Sequence, residues 1–225
     1  MKYLNYVDAM RKFGLISLGL CLGTFVFAQY NTRNEWSVGL SAGANASTIT
    51  TVPKYVDKML LIQPGAGVSI RYISEDHFGI QLECNYVASG WREDAEGNGL
   101  NPSYERSIQF IELPFLLHAY SGGTMARYFL NIGPKIGYMI SENERVINDG
   151  YSYLQHGKNV EKSFQYGVLA GLGVGLHVGK NALNLEGRFH YHLSNLFNDA
   201  IQDDFSTSNL QVISVHLTYF YQISK

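Results

Sequence analysis

The chain has 225 residues, of which 46% are hydrophobic and only 16% are charged, and its formal net charge at pH 7 is −2. Proteins that bind nucleic acids usually concentrate positive charge on one face, and this sequence has no basic stripe of that kind. No run of 18 or more uncharged apolar residues follows the N-terminal region, which argues against a helical membrane protein. The 16 Tyr, 12 Phe and 23 Gly residues instead favour an all-β chain.

The N-terminal region has the pattern of an export signal. Basic residues precede an uncharged apolar stretch at residues 13–27, and Ala28 supplies the small residue expected before a cleavage site. We therefore predict a signal peptide at residues 1–28 and an outer-membrane domain at residues 29–225. An uncleaved N-terminal anchor is the alternative, but the apolar stretch is short for a membrane-spanning helix.

Cleavage would leave Cys84 as the one cysteine of the mature domain, because Cys21 lies in the predicted signal. No intrachain disulfide can then form, so stability in an exported compartment must come from the fold itself. Since Cys84 lies on an apolar row, we interpret it as a packing residue rather than a reactive thiol.

Eight segments of the mature domain alternate between apolar and small or polar side chains, as β-strands do. These predicted strands are residues 36–45, 61–72, 77–89, 104–120, 127–140, 163–178, 181–193 and 210–223. In the sixth strand one row is rich in glycine, including Gly171 and Gly173. Glycine weakens a strand, so this row indicates a face with little room, such as a narrow interior. Pro114 in the fourth strand predicts a bulge or a kink.

The predicted connections alternate in length. Long ones at residues 46–60, 90–103, 141–162 and 194–209 are separated by short ones at residues 73–76, 121–126 and 179–180. Short turns at one rim and long loops at the other are typical of transmembrane β-barrels. We therefore predict an all-β fold, an eight-stranded antiparallel up-and-down transmembrane β-barrel with its N-terminus in the periplasm and its long loops outside the cell.

A soluble lipocalin-like ligand carrier would also alternate, with its apolar row inside and its polar row in water. Two observations favour the membrane barrel. The polar rows hold mostly Gly, Ser, Asn and Gln rather than Lys and Glu, and the apolar rows carry aromatic residues near both rims, as interfacial belts do. The first predicted belt is Trp36, Tyr72, Tyr128, Tyr219 and Tyr221, and the second is Tyr86, Tyr138, Tyr166 and Tyr191.

Several motifs resemble those of the PorT-like outer-membrane β-barrel family. They are a signal ending in Phe-Ala-Gln29, Gly39-Leu-Ser-Ala-Gly-Ala-Asn45, Ile111-Glu-Leu-Pro-Phe-Leu-Leu117, Gly133-Pro-Lys135 and Gly171-Leu-Gly-Val-Gly175. The resemblance covers the mature domain and implies an eight-stranded barrel in the outer membrane of a Gram-negative cell. The name-giving member of that family belongs to the type IX secretion apparatus, but no motif of this chain is tied to secretion.

The inward rows of the predicted strands carry charges of both signs. These residues, with two histidines, are Arg71, Glu83, Glu112, Lys135, Glu186, Arg188, His190 and His216. Because an eight-stranded barrel is just wide enough to be filled by its own side chains, we do not expect a porin. We expect a network of ion pairs and hydrogen bonds that plugs the lumen, since buried charges need partners. A proton or ion path through the same residues is the alternative.

His192-Leu-Ser194 resembles the His-x-Ser motif of lipid A 3-O-deacylases, in which a histidine activates a serine nucleophile. Residues two apart share a strand face, but His192 has the parity of inward charged residues on its strand, so it should point into the lumen. Asp203 or Asp204 would have to complete the triad. We therefore predict no catalytic residue, and a lipid A-modifying enzyme is the alternative function.

The favoured function is a structural or interaction role through the long loops. Their charged and apolar residues include Arg92, Glu93, Asp94 and Glu96 in one loop and Leu196, Phe197, Asp199, Ile201, Asp203, Asp204 and Phe205 in another. No spacing matches a calcium-binding loop, so we predict neither a metal site nor a cofactor. The expected partners are outer-membrane lipid and lipopolysaccharide, the barrel assembly machinery during insertion, and other envelope or secretion proteins.

Overall fold

The computed structural model describes residues 32–52, 57–94, 103–147, 156, 159–197 and 207–224. The chain divides into two units, and the second, Arg33–Lys225, holds almost all of the described residues. The predicted signal peptide at residues 1–28 lies outside them. None of the described segments forms a helix that is long and apolar enough to cross a membrane.

Nine β-strands make up the described structure. They are β1 (Thr32–Val52), β2 (Asp57–Met59), β3 (Leu61–Glu75), β4 (Phe78–Asp94), β5 (Tyr104–Gly122), β6 (Ala126–Val146), β7 (Phe164–Val178), β8 (Asn181–His192) and β9 (Thr207–Ser224). Eight of them overlap the eight predicted strands. The predicted count is one short because the three-residue β2 pairs with the end of β4, which runs past its predicted limit. Three residues are too few to show an alternating pattern.

The strands pair in the order β2-β4-β3-β1-β9-β8-β7-β6-β5, and β4 also pairs with β5. Leaving β2 aside, the pairings of the other eight strands therefore return to their starting point. We call this cycle the eight-strand ring. From β3 to β9 each strand is antiparallel to the next, and the first and last strands pair from Trp36↔Ser224 to Val52↔Thr207. Among the described residues, no strand of the ring is left as an unpaired edge, which removes a site for aggregation.

Pro114 does not shift the register of β5, so the predicted bulge at this residue is wrong. The pairs between β4 and β5 keep the same register on both sides of Pro114. The register shift of β5 against β6 lies between Gln109 and Phe110 instead. Proline lacks a backbone N–H, and the strand accommodates that loss without an inserted residue.

The connections confirm the predicted alternation of lengths. Short turns join β3 to β4, β5 to β6 and β7 to β8, and we call their side of the ring the short-turn end. The longer connections leave from the opposite side, which we call the long-loop end. Because the first and last strands pair at Trp36↔Ser224, the beginning of β1 and the end of β9 lie together at the short-turn end.

The two faces of the ring differ in chemistry. On β8, Leu183 and Leu185 are 44% and 49% exposed, whereas Asn184 and Glu186 are 1% and 2% exposed. The same alternation recurs around the ring, with apolar side chains outward and polar side chains inward. A lipocalin-like carrier needs the opposite arrangement. Cys84 is exposed on the outward row, so our interpretation of it as a buried packing residue is wrong.

The nine aromatic residues predicted to form two belts lie on the outward row, exposed or half-buried, at two levels of the ring. At the short-turn end Trp36 packs on Tyr72 with ring centroids 4.7 Å apart. Nearer the long-loop end, Tyr86 and Tyr138 flank Ile111 on the two neighbouring strands. The strands continue past this second level.

The glycine-rich row of β7 faces inward and has little room, as predicted. A Cβ atom on Gly171 would overlap the carboxylate of Glu186, and one on Gly173 would overlap the ring of Phe129. Larger side chains from the two neighbouring strands, β6 and β8, therefore occupy the space that these glycines leave. Small residues on one strand let the larger side chains of its neighbours lie across it inside the ring.

Candidate functional site

The interior of the ring is the candidate site, and it consists of stacked layers. A polar network fills the middle, an apolar cluster fills the long-loop end, and a small group of Ile73, Tyr120 and Phe129 lies at the short-turn end. Each layer is built from the inward rows of several strands, so no single strand supplies a complete layer.

Arg188 of β8 is the centre of the polar network. Its two terminal nitrogens donate to both carboxylate oxygens of Glu83, at 2.7 and 2.8 Å, and one of them also donates to Glu186 at 2.8 Å. Asn85 donates to Glu83 at 2.6 Å. The Arg188 and Glu83 side chains are each 2% exposed. A planar guanidinium suits this two-pronged pairing, and the extra hydrogen bonds offset part of the cost of burying the charges.

Lys135 of β6 forms the second buried centre. Its ammonium donates to Glu112 at 2.7 Å and lies 2.8 Å from Nε2 of His192 and 3.4 Å from Nδ1 of His190. His190 in turn contacts the hydroxyl of Ser214 at 3.1 Å. An ammonium has no acceptor, so the histidine nitrogens that face it act as acceptors while Lys135 is charged.

Further contacts extend the polar network toward the short-turn end of the ring. Asn131 donates to Glu186 at 2.8 Å and contacts His118 at 2.7 Å. Arg71 donates to Gln81 at 2.6 Å. The structure thus brings the predicted inward residues together and confirms ion pairs in two separate centres, one around Arg188 and one around Lys135. Arg71 and His216 hydrogen-bond to Gln81 and Asn45.

At the long-loop end the interior is apolar, which sequence reasoning missed. The buried residues of this apolar cluster are Ile49, Trp91, Tyr104, Ile108, Phe110, Val160, Leu196, Phe197, Leu210 and Val212. Arg106 is fully buried beside it, pairs with Glu142 and Glu144 at 3.1 and 2.6 Å, and lies over the Trp91 ring at 5.7 Å. Burial raises the pKa of the Tyr104 hydroxyl, which therefore stays protonated.

Glu93 and His156 contact the outermost residues of this apolar cluster through hydrogen bonds and ring stacking. The indole nitrogen of Trp91 donates to Glu93 at 2.8 Å, and Nε2 of His156 lies 2.8 Å from the other carboxylate oxygen. The His156 ring stacks on Tyr104 with centroids 4.0 Å apart. These contacts link the connection between β6 and β7 to the ends of β4 and β5.

Several residues that we predicted in the long loops are not available for binding. Leu196 and Phe197 are fully buried, and Glu93 and Asp94 are buried and belong to β4. Leu196 and Phe197 turn inward because apolar side chains gain more by filling the end of the ring than by facing water. The other predicted loop residues, Glu96, Asp199, Ile201, Asp203, Asp204 and Phe205, lie outside the described residues.

The structure does not bring the His-x-Ser residues together. The imidazole of His192 points inward to Lys135, and its Nδ1 atom has no hydrogen-bond partner. The Ser194 hydroxyl donates to Gln165 and accepts from the backbone N–H of Tyr166 at 3.2 Å. In the part of the chain that the structure describes, no group of three or more His, Cys, Asp or Glu side chains is arranged to hold a metal ion.

Comparisons with known proteins agree with the β fold described above. Residues 27–198 match the family described as outer membrane protein beta-barrel domain. The solved structure of OprG from Pseudomonas aeruginosa is similar with a TM-score of 0.53 at 11% identity, over 87% of this chain and 99% of that chain. No curated protein sequence matches. At this identity the likeness to OprG shows the fold alone.

Two other solved structures are similar at lower scores. Ail of Yersinia pestis in complex with the heparin analogue sucrose octasulfate has a TM-score of 0.42 at 13% identity, over 84% of this chain and 99% of that chain. The outer membrane enzyme PagL has a TM-score of 0.42 at 10% identity, over 81% of this chain and 97% of that chain. Likenesses at this level carry no argument about function.

Proposed function

This chain belongs to the outer membrane protein beta-barrel domain family, and we propose that its eight-strand ring is a closed barrel that spans the outer membrane. The protein is an outer-membrane β-barrel protein of the small-barrel kind. Within that class we propose a non-enzymatic role, in which a sealed barrel anchors the long-loop end at the cell surface as a structural or interaction surface.

The outward apolar band is the observation that carries the proposal. On β9 the outward residues are apolar from Ile213 to Ile223, which is ten steps along the strand. At about 3.3 Å per step and a tilt of about 40°, this band is about 25 Å tall. That height matches the apolar band of outer-membrane barrels, and aromatic residues lie near both of its edges.

At the edge of this band the outward side chains change from apolar to polar, which supports a membrane boundary there. On β5 the outward residues Ile111, Leu113 and Phe115 give way to Gln109 and Ser107 toward the long-loop end. Water-facing strands need polar outward side chains, whereas lipid-facing strands need apolar ones. The strands therefore project beyond the bilayer at the long-loop end.

The filled interior supports a sealed barrel rather than a channel. The buried ion pairs of the polar network occupy the middle, and the apolar cluster with Trp91 and Phe197 closes the long-loop end. An ion would have to displace paired charges and then cross an apolar layer. In a planar bilayer we expect no steady openings, and regular nanosiemens-sized openings would overturn this part of the proposal.

We propose that the chain is a PorT-like member of the family, on the basis of the sequence motifs quoted above. From this assignment we propose envelope or type IX secretion proteins as partners. Outer-membrane lipid, lipopolysaccharide and the barrel assembly machinery are the further proposed partners. The aromatic β9, which ends the described chain with Tyr221 and Ile223 outward, resembles the last strand that the assembly machinery receives. Cross-linking from the long-loop end in intact cells tests for a partner protein.

Site-directed labelling tests the membrane-spanning orientation. In a Cys84→Ala background, Asn143→Cys places a thiol at the long-loop end and Thr124→Cys places one at the short-turn end, both at exposed positions. A membrane-impermeant maleimide applied to intact cells should label only the first variant, and permeabilised cells should label both. Labelling of Thr124→Cys alone in intact cells would reverse the orientation, and soluble periplasmic protein would remove the membrane assignment.

The lipid A-modifying enzyme is tested separately. The inward imidazole of His192 and the Gln165-bound hydroxyl of Ser194 are the observations against it. Overexpression should leave the acyl chains of lipid A intact when lipid A is analysed by mass spectrometry. Loss of an acyl chain that depends on Ser194, shown with Ser194→Ala, would establish the enzyme instead.

A further inference from the structure

A pocket of about 320 Å³ opens at the short-turn end of the ring. We call it the short-turn vestibule. Its lining comes from β1, β3, β6, β7, β8 and β9 and from two of the short turns, so it is the inner mouth of the ring at that end. The charged or titratable side chains in its lining are Glu35, Arg71, Arg127, His177 and Lys180.

Arg71 forms the floor of the vestibule and is 4% exposed. Its guanidinium lies over the Phe220 ring at 3.9 Å, and its Nε atom donates to Gln81 at 2.6 Å. With the Asn184 amide turned so that its oxygen faces Arg71, that oxygen accepts from both terminal nitrogens at 3.2 Å. These contacts use three of the five N–H donors of the guanidinium and leave one on each terminal nitrogen.

Arg127 and His177 form the side of the vestibule. The Arg127 guanidinium lies over the Tyr120 ring at 4.9 Å, and among the described residues no carboxylate pairs with it. The Nδ1 atom of His177 is enclosed without a hydrogen-bond partner. An arginine stacked on an aromatic ring keeps its planar donors free for a planar or tetrahedral oxyanion.

The charge balance of the vestibule is positive. The group of Glu83, Glu186 and Arg188 has one negative charge in excess, and the positive charge of Arg71 partly offsets it. Arg71 therefore adds less than a full positive charge to the vestibule. The other charged side chains among the described lining residues are Arg127, Lys180 and Glu35, which together carry one positive charge in excess. A concave site with low-dielectric walls concentrates that field on whatever enters it.

From this geometry we propose that the short-turn vestibule binds a small oxyanion, a carboxylate or phosphate group carried by a small molecule. A volume of about 320 Å³ lies at the lower end of the range of ligand pockets, which is about 300 to 1,000 Å³. The oxyanion would take the free donors of Arg71 and Arg127. This assigns the end opposite the long loops a binding role of its own.

Titration calorimetry of the detergent-purified protein tests the site. The probes are inorganic phosphate, glucose 6-phosphate and glutarate, with glucose as the uncharged comparison. We expect an oxyanion to bind, with an affinity that falls as salt is raised, and glucose not to bind. A preference for glutarate or for the phosphates identifies which oxyanion the site takes.

Arg127→Gln is the decisive variant, because Arg71 is buried and its replacement endangers the fold. Loss of one charge-assisted hydrogen bond should weaken oxyanion binding about tenfold. Arg145→Gln, which makes the same charge change on an exposed residue near the long-loop end, should leave the affinity unchanged. Equal affinity in wild type and Arg127→Gln, or no binding of any oxyanion, would overturn the site.

A heat-dependent mobility shift on the same samples separates this inference from the proposed barrel. Protein that shifts on boiling but binds no oxyanion refutes the vestibule and leaves the barrel standing. Protein that binds an oxyanion in an Arg127-dependent way but does not shift supports the vestibule and counts against the closed barrel.

Discussion

The two filled regions of the ring interior are both buried but have opposite chemistry. In the middle, Arg188 and Lys135 pair with buried carboxylates, whereas at the long-loop end Trp91 and Phe197 pack in an apolar cluster. The change occurs where the outward face changes in the opposite sense, from apolar to polar. Inside and outside therefore exchange roles along one strand, which is the arrangement that the proposed membrane-spanning barrel requires, with lipid around one level and water around the other.

The comparison also separates two kinds of stability. In the polar network each charge depends on its partner, so removing one partner leaves an uncompensated buried charge. In the apolar cluster the loss of a side chain leaves a cavity, whose cost depends on how far the neighbours can relax. Unfolding in urea from detergent micelles, followed by the fluorescence of Trp36 and Trp91, measures both.

Arg188→Met should give the largest effect. It leaves two buried carboxylates, those of Glu83 and Glu186, without their cationic partner. We therefore expect a loss of about 5 kcal/mol in the free energy of unfolding, or failure to fold. Arg92→Gln removes an ion pair with Glu105 that is much more exposed, and should cost less than about 1 kcal/mol. Equal effects for the two variants would show that the interior charges are hydrated.

Leu210→Ala should cost about 3 kcal/mol, because Leu210 is fully buried in the apolar cluster. Leu185→Ala removes the same atoms from the outward face, where Leu185 is 49% exposed, and should cost clearly less. The difference between their unfolding free energies measures the packing of the long-loop end. A larger cost for Leu185→Ala would mean that this end is loosely packed.

A double-mutant cycle of Lys135→Met and Glu112→Gln should give a coupling energy of about 2 kcal/mol, since the ammonium and carboxylate lie 2.7 Å apart and are both buried. Lys135→Met alone should be costly, and Glu112→Gln should recover part of that cost by removing the stranded carboxylate. Strictly additive effects would show that His190 and His192, rather than Glu112, satisfy the lysine.

Gly171→Ala should give the smallest effect, a loss of about 1 to 2 kcal/mol from overpacking against the Glu186 carboxylate. Gly187→Ala is the matched control, because an added Cβ at Gly187 meets nothing within 4 Å. That variant should be neutral or slightly stabilising, since glycine weakens strands. If both variants behave alike, the inward face has more room than the structure shows.

Much of this fold could be predicted because a strand shows its two faces in every second residue. The eight longer strands, the lengths of the connections and the inward charges, including Arg188 and Glu83, all follow from that period of two. The His192 imidazole also lies where its parity predicts. The three-residue β2 and the register around Pro114 were missed or mispredicted, because pairing partners and not local sequence decide them.

By itself the sequence determined which side chains face inward and that an apolar band surrounds the ring. Only the tertiary structure decided which charges pair across the interior, that Leu196 and Phe197 turn inward from a loop, and that Arg71 and Arg127 meet at one mouth. The reason is physical. Whether a side chain points inward or outward is a local property of an extended backbone. Which side chains contact each other across the interior depends on the stagger of eight strands around a closed cycle of pairings, and the sequence of one strand does not contain that information.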